Sequence, residues 1–459
     1  MVAIKIGLEV HGYLHMDSKA KLFCDCKLGE AEPNTNICPI CTGMPGSKPM
    51  PPNKEALDKI ISIAGMLDCR INKRLLFQRK HYDWPDMPTG FQRTMSGSYS
   101  VPVGEKGNFL SIGITEVHLE EDPARWQPDT GYVDYNRSGF PLVEIVTEPD
   151  FDSAQSVREW LKKLVTTLSY IKAIDADAGL KSDVNVSIGP DFNRVEIKNV
   201  NSFKSIIQAI EYEVRRQQRE IKEGKSVGGE TRAWNDAASV TVFMRKKEKA
   251  MDYMFIPEPD LPVINVSTEW INKISSKLPE KPAQKIERYI KDLKIDKTDA
   301  EVLSSEILLA EKFEKVVAKK IDPVLAARWF RRELMRVLNY NKKELHEIEA
   351  DEKHIVQLLK LVESKKITDE VAKRILEKLI EKPFDVDKYV ESKKLAAVSD
   401  TNVLEKYCKE AISENEKAVE DYKAGNEKAF NFIVGSVMRK SKGKATPQEV
   451  NKILKKLIE

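Results

Sequence analysis

Long apolar runs, abundant cysteine and the common nucleotide-binding signatures are all missing from this chain of 459 residues. No stretch approaches the roughly 18 consecutive apolar residues that a membrane-spanning helix needs. Six cysteines are too few for a disulfide scaffold in a chain of this length. Neither GxxxxGK(S/T) nor a helix-opening GxGxxG occurs, so a nucleotide, if one binds, needs another kind of cradle. Lys5, Glu9 and His11 interrupt the apolar residues among the first twelve, whereas a secretory signal peptide has an uninterrupted apolar region. We therefore expect a cytoplasmic protein.

Glycine is absent from residues 230–424, although 18 of the 21 glycines lie in residues 1–229. Turns use glycine for positive φ, whereas helix interiors exclude it. We therefore expect an α+β protein, with a strand-rich first half followed by helices. The prolines of residues 255–262 exclude a helix there and indicate an extended segment that closes the first domain. The predicted domains are a strand-rich cradle at 1–275, an all-α domain at 276–400 and a small helical tail at 401–459.

Helix-start signals are regular in the second half. Thr298 followed by Glu301 is typical of a capping box. Thr446, followed by Pro447 and Glu449, predicts the start of the last helix.

Positive charge is concentrated near the end of the chain. Residues 428–459 carry eight lysines and arginines against two glutamates, a balance of +6, whereas the whole chain has a net charge of +3. A surface for nucleic-acid phosphates and an ordinary solvated face both fit this charge. The densest part is a short loop that contains Arg439, Lys440, Lys442 and Lys444.

Four of the six cysteines form two close pairs, Cys24 with Cys26 and Cys38 with Cys41. Two such pairs, separated by a loop, can converge on one tetrahedral ion. Four thiolates leave zinc no open position, so zinc here would be structural, and it would stabilise a knob at residues 24–41 that has few apolar residues to bury. The alternative is four ordinary reduced thiols.

Several strand-like segments carry unusual carboxylates and imidazoles. The first strand alternates strictly, which places Glu9 and His11 on one face, roughly 6.5 Å apart at strand rise. A second segment, 113–122, ends in four acidic or imidazole groups, among them Glu121, and Glu144 lies within a third, otherwise apolar strand. A carboxylate in such a strand is costly unless it is paired or binds a metal. These strands therefore predict a hard divalent cation such as Mg²⁺, with surface carboxylates and buried salt bridges as the alternative.

Other polar segments mix cations, carboxylates and aromatic rings, a combination suited to phosphate and base contacts. One of them continues into Trp84 and Asp86. The residues predicted to contact nucleotide or substrate are Arg79, Lys80, Tyr82, Asp183, Asn185, Glu196, Lys198 and Asn201.

Taken together, these segments resemble the B subunit of the aspartyl/glutamyl-tRNA amidotransferases. The match runs in order along nearly the whole chain, which makes it more specific than any single motif. The end of the chain, through residues 431–435 and 443–445, resembles the YqeY-like helical domain of that family. The other matching segments are residues 6–11, 33–36, 118–122, 141–150, 196–203, 230–232 and 257–260.

The resemblance implies one subunit of a glutamine-hydrolysing ligase that acts in protein biosynthesis as a heterotrimer. Such a B subunit uses ATP and Mg²⁺ to phosphorylate the side-chain carboxylate of Asp or Glu carried on tRNA(Asn) or tRNA(Gln), and then joins ammonia to it. The ammonia comes from an amidase (A) subunit, and a small C subunit completes the complex. The sequence does not decide between the two tRNA substrates.

The resemblance also implies residue roles. The family's magnesium ligands match His11, Glu121 and Glu144, with Glu9 beside them, and these four are the predicted catalytic groups. The YqeY-like likeness implies that the basic loop of the tail binds tRNA.

Two other functions stay open on the residues alone. A zinc-stabilised tRNA-binding adaptor without catalysis would explain the cysteines and the basic tail, but not the carboxylates on the strands. A metal-dependent hydrolase would explain the carboxylates, but not the tail. ATP-dependent phosphate release that is stimulated by mischarged tRNA would distinguish the amidotransferase from both.

Overall fold

The computed structural model describes residues 3–82, 84–175, 179–246, 254–398 and 401–458 of the chain. The chain divides into two compact units, Met1–Lys281 and Pro282–Glu459. The first is rich in strands and the second is helical, which confirms the predicted α+β class. Within the described residues, no helix combines the length and the apolar character that crossing a membrane requires.

In the residues that the structure describes, the first unit contains a large sheet and four helices. Its strands are β1 (Ile4–Tyr13), β2 (Arg70–Ile71), β3 (Arg74–Leu75), β4 (Gln78–His81), β5 (Phe91–Thr94), β6 (Gly104–Phe109), β7 (Ile112–Glu121), β8 (Arg125–Gln127), β9 (Tyr132–Asp134), β10 (Pro141–Thr147), β11 (Leu180–Ile188), β12 (Val195–Lys198), β13 (Glu230–Asn235), β14 (Val240–Lys246), β15 (Met254–Pro257) and β16 (Ile264–Asn265). Its helices are α1 (Lys54–Met66), α2 (Ala154–Tyr170), α3 (Phe203–Lys222) and α4 (Thr268–Ser275).

Twelve of these strands form one sheet in the order β14-β13-β12-β11-β1-β10-β7-β5-β4-β15, with β6 beside β7 and β2 beside β6. The pair β12–β13 is parallel, and the central pairs around β1 are antiparallel. Two short ribbons, β3–β16 and β8–β9, complete the unit. Strand β15 pairs with β4, which confirms that the chain is extended near the prolines of residues 255–262.

Alternation along β1 separates the two faces of the sheet. Ile6, Leu8 and Val10 are buried in the apolar core that the sheet shares with α1, α2 and α3. Glu9 and His11 therefore point to the opposite face. We call this opposite face the polar face, and it carries the candidate site.

The second unit contains two separate hydrophobic cores, one among residues 289–390 and one among residues 404–458. Its helices are α5 (Pro282–Leu293), α6 (Lys297–Leu303), α7 (Ile307–Val317), α8 (Pro323–Arg328), a π-helical segment (Trp329–Leu334), α9 (Met335–Asn341), α10 (Glu352–Glu363), α11 (Asp369–Glu381), α12 (Val386–Ser392), α13 (Thr401–Glu414), α14 (Glu416–Lys423), α15 (Glu427–Lys440) and α16 (Pro447–Ile458).

The two predicted caps have different outcomes. The hydroxyl of Thr446 accepts a hydrogen bond from the backbone N–H of Glu449 at 3.4 Å, and α16 begins at Pro447 as predicted. Thr298 was the wrong cap, because α6 begins earlier. The carboxylate of Asp296 accepts a bond from the N–H of Asp299 at 3.0 Å. Aspartate caps a helix at least as well as threonine, so the helix starts at the earlier residue.

Candidate functional site

Strand pairing brings the predicted polar residues together on the polar face. His11 on β1 is opposite Glu144 on β10, and Glu144 is opposite His118 on β7. On the other side of β1, Glu9 is opposite Asp183 on β11. Directly opposed residues of antiparallel strands have their side chains on the same face. The polar face therefore carries two neighbouring rows of polar groups across its central strands, one with His11, Glu144 and His118 and one with Glu9 and Asp183.

His11, Glu120 and Glu144 form a close group on this face. One ligand atom from each lies within 4.8 Å of the other two. The Nδ1 atom of His11 is 3.9 Å from a carboxylate oxygen of Glu120 and 3.9 Å from one of Glu144. One imidazole and two carboxylates are a donor set that suits a divalent cation.

The structure places Glu120 where sequence reasoning chose Glu121. Side chains alternate along β7, so Glu120 shares a face with His118, whereas Glu121 shares the apolar face with Leu119. Glu121 accepts hydrogen bonds from the backbone N–H of Arg93 at 2.9 Å and from its guanidinium at 3.2 Å. The resemblance implied that Glu121 is a magnesium ligand; in the structure Glu121 pairs with Arg93, and Glu120 is the residue grouped with His11. The signal for Glu120 was present in the sequence, as a two-residue spacing from His118.

His118 is fully buried among carboxylates. Its Nε2 atom is 3.1 Å from an oxygen of Glu144, and its Nδ1 atom is 3.2 Å from an oxygen of Glu116. Burial favours the neutral imidazole, but the nearby carboxylates outweigh burial and raise the pKa of His118 well above its usual value. Burial would likewise raise the pKa of Glu144, yet the charges of His118 and His11 hold it below its ordinary range. Glu144 is therefore ionised at neutral pH, as a metal ligand must be.

Glu9 belongs to a neighbouring acidic group rather than to the group of His11. Oxygen atoms of Glu9, Asp183 and Glu196 lie within 4.8 Å of one another. The ammonium of Lys198 donates to Asp183 at 2.7 Å and lies 3.0 Å from Glu196. Burial would lower the pKa of Lys198, but these two carboxylates raise it, so the lysine stays charged.

Two further predicted or adjacent residues hold Glu9 in place. Its Oε1 atom accepts hydrogen bonds from the amide of Asn185 and the guanidinium of Arg194, both at 3.1 Å. Burial, followed by the charges of Glu144 and Asp183, raises the pKa of Glu9. Glu9 is therefore easier to protonate than an ordinary glutamate, in contrast to Glu144.

The other predicted contacts lie in different surroundings. Arg79 points away from the polar face and donates to Glu258 at 2.8 and 3.0 Å and to Asp260 at 2.9 Å. The next residue, Lys80, has the opposite orientation, and its charge helps to lower the pKa of Glu144. Burial is the main cause of the raised pKa of Tyr82, which keeps the phenol protonated. Asn201 is exposed just before α3.

Comparison with known proteins assigns the family. The family described as the GatB/GatE catalytic domain matches residues 4–272, and the one described as the GatB domain matches residues 311–458. The chain belongs to the GatB family. Its length is therefore matched by two parts of one family, in the order that the sequence resemblance predicted.

Relatives of this GatB chain match it from end to end. It is 45% identical to the B subunit of the aspartyl/glutamyl-tRNA(Asn/Gln) amidotransferase of Methanococcus maripaludis, over 100% of this chain and 99% of the relative. The protein of the same name from Methanocaldococcus jannaschii is 44% identical over 100% of this chain and 98% of the relative. The one from Methanothermobacter thermautotrophicus is 43% identical over 99% and 100%. The predicted family resemblance is confirmed.

The four paired cysteines of the GatB chain also converge. The Sγ atoms of Cys24, Cys26, Cys38 and Cys41 all lie within 4.8 Å of one another, and no disulfide joins them. Zinc–sulfur bonds of about 2.3 Å place tetrahedral sulfurs roughly 3.8 Å apart, so the group fits zinc. A hydrogen bond from Cys24 is the main cause that lowers the pKa of Cys41 to about 5, and the buried ammonium of Lys21 contributes. A thiolate at neutral pH is the form that binds zinc.

Asn34 and Asn36 connect the zinc knob, residues 24–41, to the β8–β9 ribbon. The amide of Asn34 donates to the carbonyl oxygen of Val133 at 3.0 Å and accepts from the N–H of Tyr135 at 2.8 Å. The N–H of Asn36 donates to the side chain of Asn136 at 2.9 Å. The asparagines in residues 33–36 of the resemblance therefore join two segments of the fold.

Arg439 and Lys440 were predicted to lie in a loop, but they are the last two residues of α15, and Lys442 and Lys444 lie in the loop that follows it. These four basic residues of the tail differ in their environments. The ammonium of Lys440 is 2.6 Å from a carboxylate oxygen of Glu414 on α13, whereas Arg439 and Lys442 are exposed and Lys444 is half-buried. A groove of about 1190 Å³ runs beside this loop, and basic side chains contribute much of its lining. Its basic lining residues are Arg328, Lys365, Lys373, Arg374, Arg439 and Lys442.

Proposed function

We propose that this chain is the B subunit of a tRNA-dependent amidotransferase that converts Asp-tRNA(Asn), Glu-tRNA(Gln) or both into the amidated aminoacyl-tRNA. The observation that carries the proposal is the group His11, Glu120 and Glu144 on the polar face of a GatB-family catalytic domain. The full-length likeness to proteins of that name supports it.

The chemistry explains why such a group is needed. A carboxylate is a poor acyl donor at neutral pH, because its carbon resists attack by a nucleophile, so it has to be activated. Its oxygen attacks the γ-phosphorus of ATP, which releases ADP and leaves an acyl phosphate. The nitrogen of ammonia then attacks the acyl carbon, the C–N bond forms, and inorganic phosphate leaves. Positioning and neutralisation of charge provide most of the catalysis of phosphoryl transfer.

His11, Glu120 and Glu144 would hold Mg²⁺ in this scheme. Bound there, the ion supplies positive charge to the transferring phosphoryl group. The donor set fits, because Glu144 is ionised and its oxygen is fixed 3.1 Å from the imidazole of His118. A group that orients a ligand in this way raises the affinity of the site. Glu121, paired with Arg93, has no part in the site that we propose.

Cationic side chains on the polar face suit the phosphates and the carboxylate of the two substrates. The charge of Lys80 lowers the pKa of Glu144. Lys198 and Arg194 lie in the neighbouring group that contains Glu9. Charge-assisted hydrogen bonds from such groups are roughly twice as strong as neutral ones. Asp183, Asn185 and Glu196 would hold these cations in position between turnovers.

The remaining assignments follow from the same function. Zinc would be structural at the four cysteines, because four thiolates leave it no open position. Ammonia would come from an amidase subunit, with a small third subunit in the complex. Exposed Arg439 and Lys442, with Lys440 and Lys444 beside them, would meet tRNA phosphates. An enzyme that acts on tRNA would work where translation takes place, which we expect to be the cytoplasm.

The test is amide formation by the enzyme reconstituted with its amidase and small subunits. We expect ATP-dependent and Mg²⁺-dependent conversion of Asp-tRNA(Asn), Glu-tRNA(Gln) or both, with phosphate release that mischarged tRNA stimulates. Chelation of Mg²⁺ should stop both reactions. Binding of tRNA without any phosphate release would favour the adaptor, and hydrolysis that is independent of tRNA would favour the hydrolase.

A further inference from the structure

Two tryptophans meet at one end of the first unit's sheet. Trp84 follows β4 and is 56% exposed, and Trp126 lies on β8. Their rings are in edge-to-face contact, with centroids 5.7 Å apart and planes at 90°. An exposed indole is unfavourable in water, and its flat face is a surface on which another planar group can stack.

The pair lies beside the polar face. Tyr82, two residues before Trp84, interacts electrostatically with both Asp86 and Glu120, so the segment that carries Trp84 lies close to the group of His11. Trp84 is four residues beyond Lys80. The backbone N–H of Ala124 donates to the carbonyl oxygen of Asp86 at 2.8 Å, so the two segments that carry the tryptophans are joined directly. The rings therefore lie at the rim of the candidate active site.

The zinc knob contacts both segments. Asn34 bonds to Val133, and Val133 is opposite Trp126 in the β8–β9 ribbon. Gly43, just after the knob, has a φ of +65°, and a Cβ atom there would lie 2.5 Å from the carbonyl oxygen of Pro88. Pro88 is in the loop that carries Trp84. The knob thus fixes the two tryptophans relative to each other.

A cationic side chain completes the set at the rim. Arg125, next to Trp126, is exposed. An aromatic face and a cation match the base and the phosphate of a nucleotide in a single strand.

We propose that Trp84 and Trp126 form a stacking site for the 3′-terminal nucleotides of the aminoacyl-tRNA, and that the zinc knob holds this site at the rim of the polar face. The proposal rests on the proposed function. The terminal ribose carries the amino acid, so a base held at the rim leaves the aminoacyl side chain directed towards the polar face. This arrangement gives the structural zinc a role in positioning substrate.

The first experiment places 2-aminopurine at the 3′ end of uncharged tRNA(Gln) and tRNA(Asn), because stacking quenches its fluorescence. We expect the complete enzyme to quench the probe, and Trp84→Ala and Trp126→Ala to lose the quenching. Trp84→Phe should keep it, because phenylalanine also stacks. Tyr99→Ala is the matched control, since Tyr99 is 53% exposed but lies near Gln78, at the opposite end of β4.

The second experiment measures amidation kinetics. Loss of one stacked base costs about 1–3 kcal/mol, which corresponds to a rise of roughly 5- to 150-fold in KM for mischarged tRNA. The KM for ATP should not change, and ATP-dependent activation at saturating tRNA should fall much less. Asn34→Ala, which removes a contact between knob and ribbon, should lower the quenching while the four cysteines keep their zinc.

Three outcomes would overturn the proposal. One is unchanged quenching and KM in Trp84→Ala and Trp126→Ala that are folded by circular dichroism. Another is an equal loss in Tyr99→Ala. The third is dissociation of a partner subunit from the tryptophan variants, which would make the rim a protein interface. A wild-type enzyme without ATP-dependent amidation would instead refute the proposed function, so the two failures are distinguishable.

Discussion

At the scale of single residues, the chemistry of the polar face depends on charge states that burial alone would not produce. His118 is fully buried and Glu144 is largely so, and each keeps the other charged at a separation of 3.1 Å. Glu9, on the neighbouring strand, has a raised pKa because it is partly buried beside other carboxylates. Two glutamates on one face of the sheet thus have opposite tendencies, which is a common way to divide roles between carboxylates.

Glu120→Gln and Glu121→Gln form a matched pair of variants with opposite expected effects. Glu120→Gln removes a charge from the group of His11, so ATP-dependent amidation should fall by about 100-fold or more. Its affinity for Mn²⁺, used as a probe in titration calorimetry, should fall too. Glu121→Gln weakens the ion pair with buried Arg93, so it should cost about 1–3 kcal/mol in the free energy of unfolding and leave the activity of folded enzyme near normal. The reverse pattern would restore Glu121 as the ligand.

Glu144→Gln tests the centre of the group. The amide keeps the size of the side chain but removes the charge that attracts a cation, so amidation should fall by about 100-fold or more. Glutamine hydrolysis by the amidase subunit, measured on the same preparation, serves as the control and should persist. Near-normal amidation would mean that Glu144 has a structural role only.

Metal analysis tests the zinc knob. A preparation never exposed to chelators should contain one zinc per chain, and Cys24→Ser should lose most of it, because three thiolates bind zinc more weakly than four. Cys69→Ser is the matched control, since Cys69 lies outside the group and is half-buried. Zinc-free wild-type enzyme would contradict the assignment.

At the scale of the elements, a buried ion pair joins two helices of the second unit. Lys285 on α5 is buried and donates to Glu314 on α7 at 2.7 Å, and the hydroxyl of Tyr289 donates to the same oxygen at 2.9 Å. Burial would raise the pKa of Glu314, but Lys285, Arg288 and Tyr289 more than offset that effect and lower it. The ionised carboxylate therefore stabilises the packing of α5 against α7.

Glu314→Gln should lower the free energy of unfolding by about 1.5–3 kcal/mol at pH 7, measured by urea unfolding. The folded pKa lies below the unfolded value of about 4.3, so this stabilisation is fully present above that pH and is lost as the pH falls through the folded pKa. The difference between wild type and variant should therefore shrink on acidification. The control is Glu301→Gln on α6, where the carboxylate is about half exposed and its pair with Lys297 is 3.9 Å long. A difference independent of pH would contradict the ionic explanation.

At the scale of the whole molecule, function requires that a large RNA bind to a chain with almost balanced charge. The net charge is only +3, so long-range attraction to RNA must come from local surfaces. The groove beside the tail loop is the surface that we propose for this role, because its lining has six basic residues against three acidic ones. Contacts of this kind contribute affinity and register rather than chemistry.

Charge reversal tests the tail. Arg439→Glu with Lys442→Glu should weaken tRNA binding and make its dependence on salt shallower, because fewer counterions are released. The rate at saturating mischarged tRNA should change much less. Lys440→Glu is a useful contrast: it replaces a partner of Glu414 and Glu410 with a like charge, so it should lower stability as well. If the folded double variant binds tRNA with unchanged affinity and unchanged salt dependence, Arg439 and Lys442 belong to an ordinary solvent-exposed surface and do not contact tRNA.

Local patterns in the chain were enough to predict the class of fold, and the likeness along nearly the whole chain was enough to predict the family. The distribution of glycine separated strands from helices, and alternation in β1 predicted that Glu9 and His11 share a face. Periodicity within one strand is a local property, so it needs no knowledge of the partner strands. The close pairs of cysteines were visible for the same reason.

Which groups meet could be known only from the arrangement of the strands in space. The choice between Glu120 and Glu121 depends on which of the two side chains lies on the same face as His11 and Glu144. Arg79 lies outside the site because its guanidinium is paired with Glu258 and Asp260. The start of α6 was predicted at Thr298 instead of Asp296, because aspartate and threonine two residues apart can both cap a helix. The contact of Trp84 with Trp126 joins segments that are distant in the chain, and it depends on tertiary contacts such as the backbone hydrogen bond from Ala124 to Asp86.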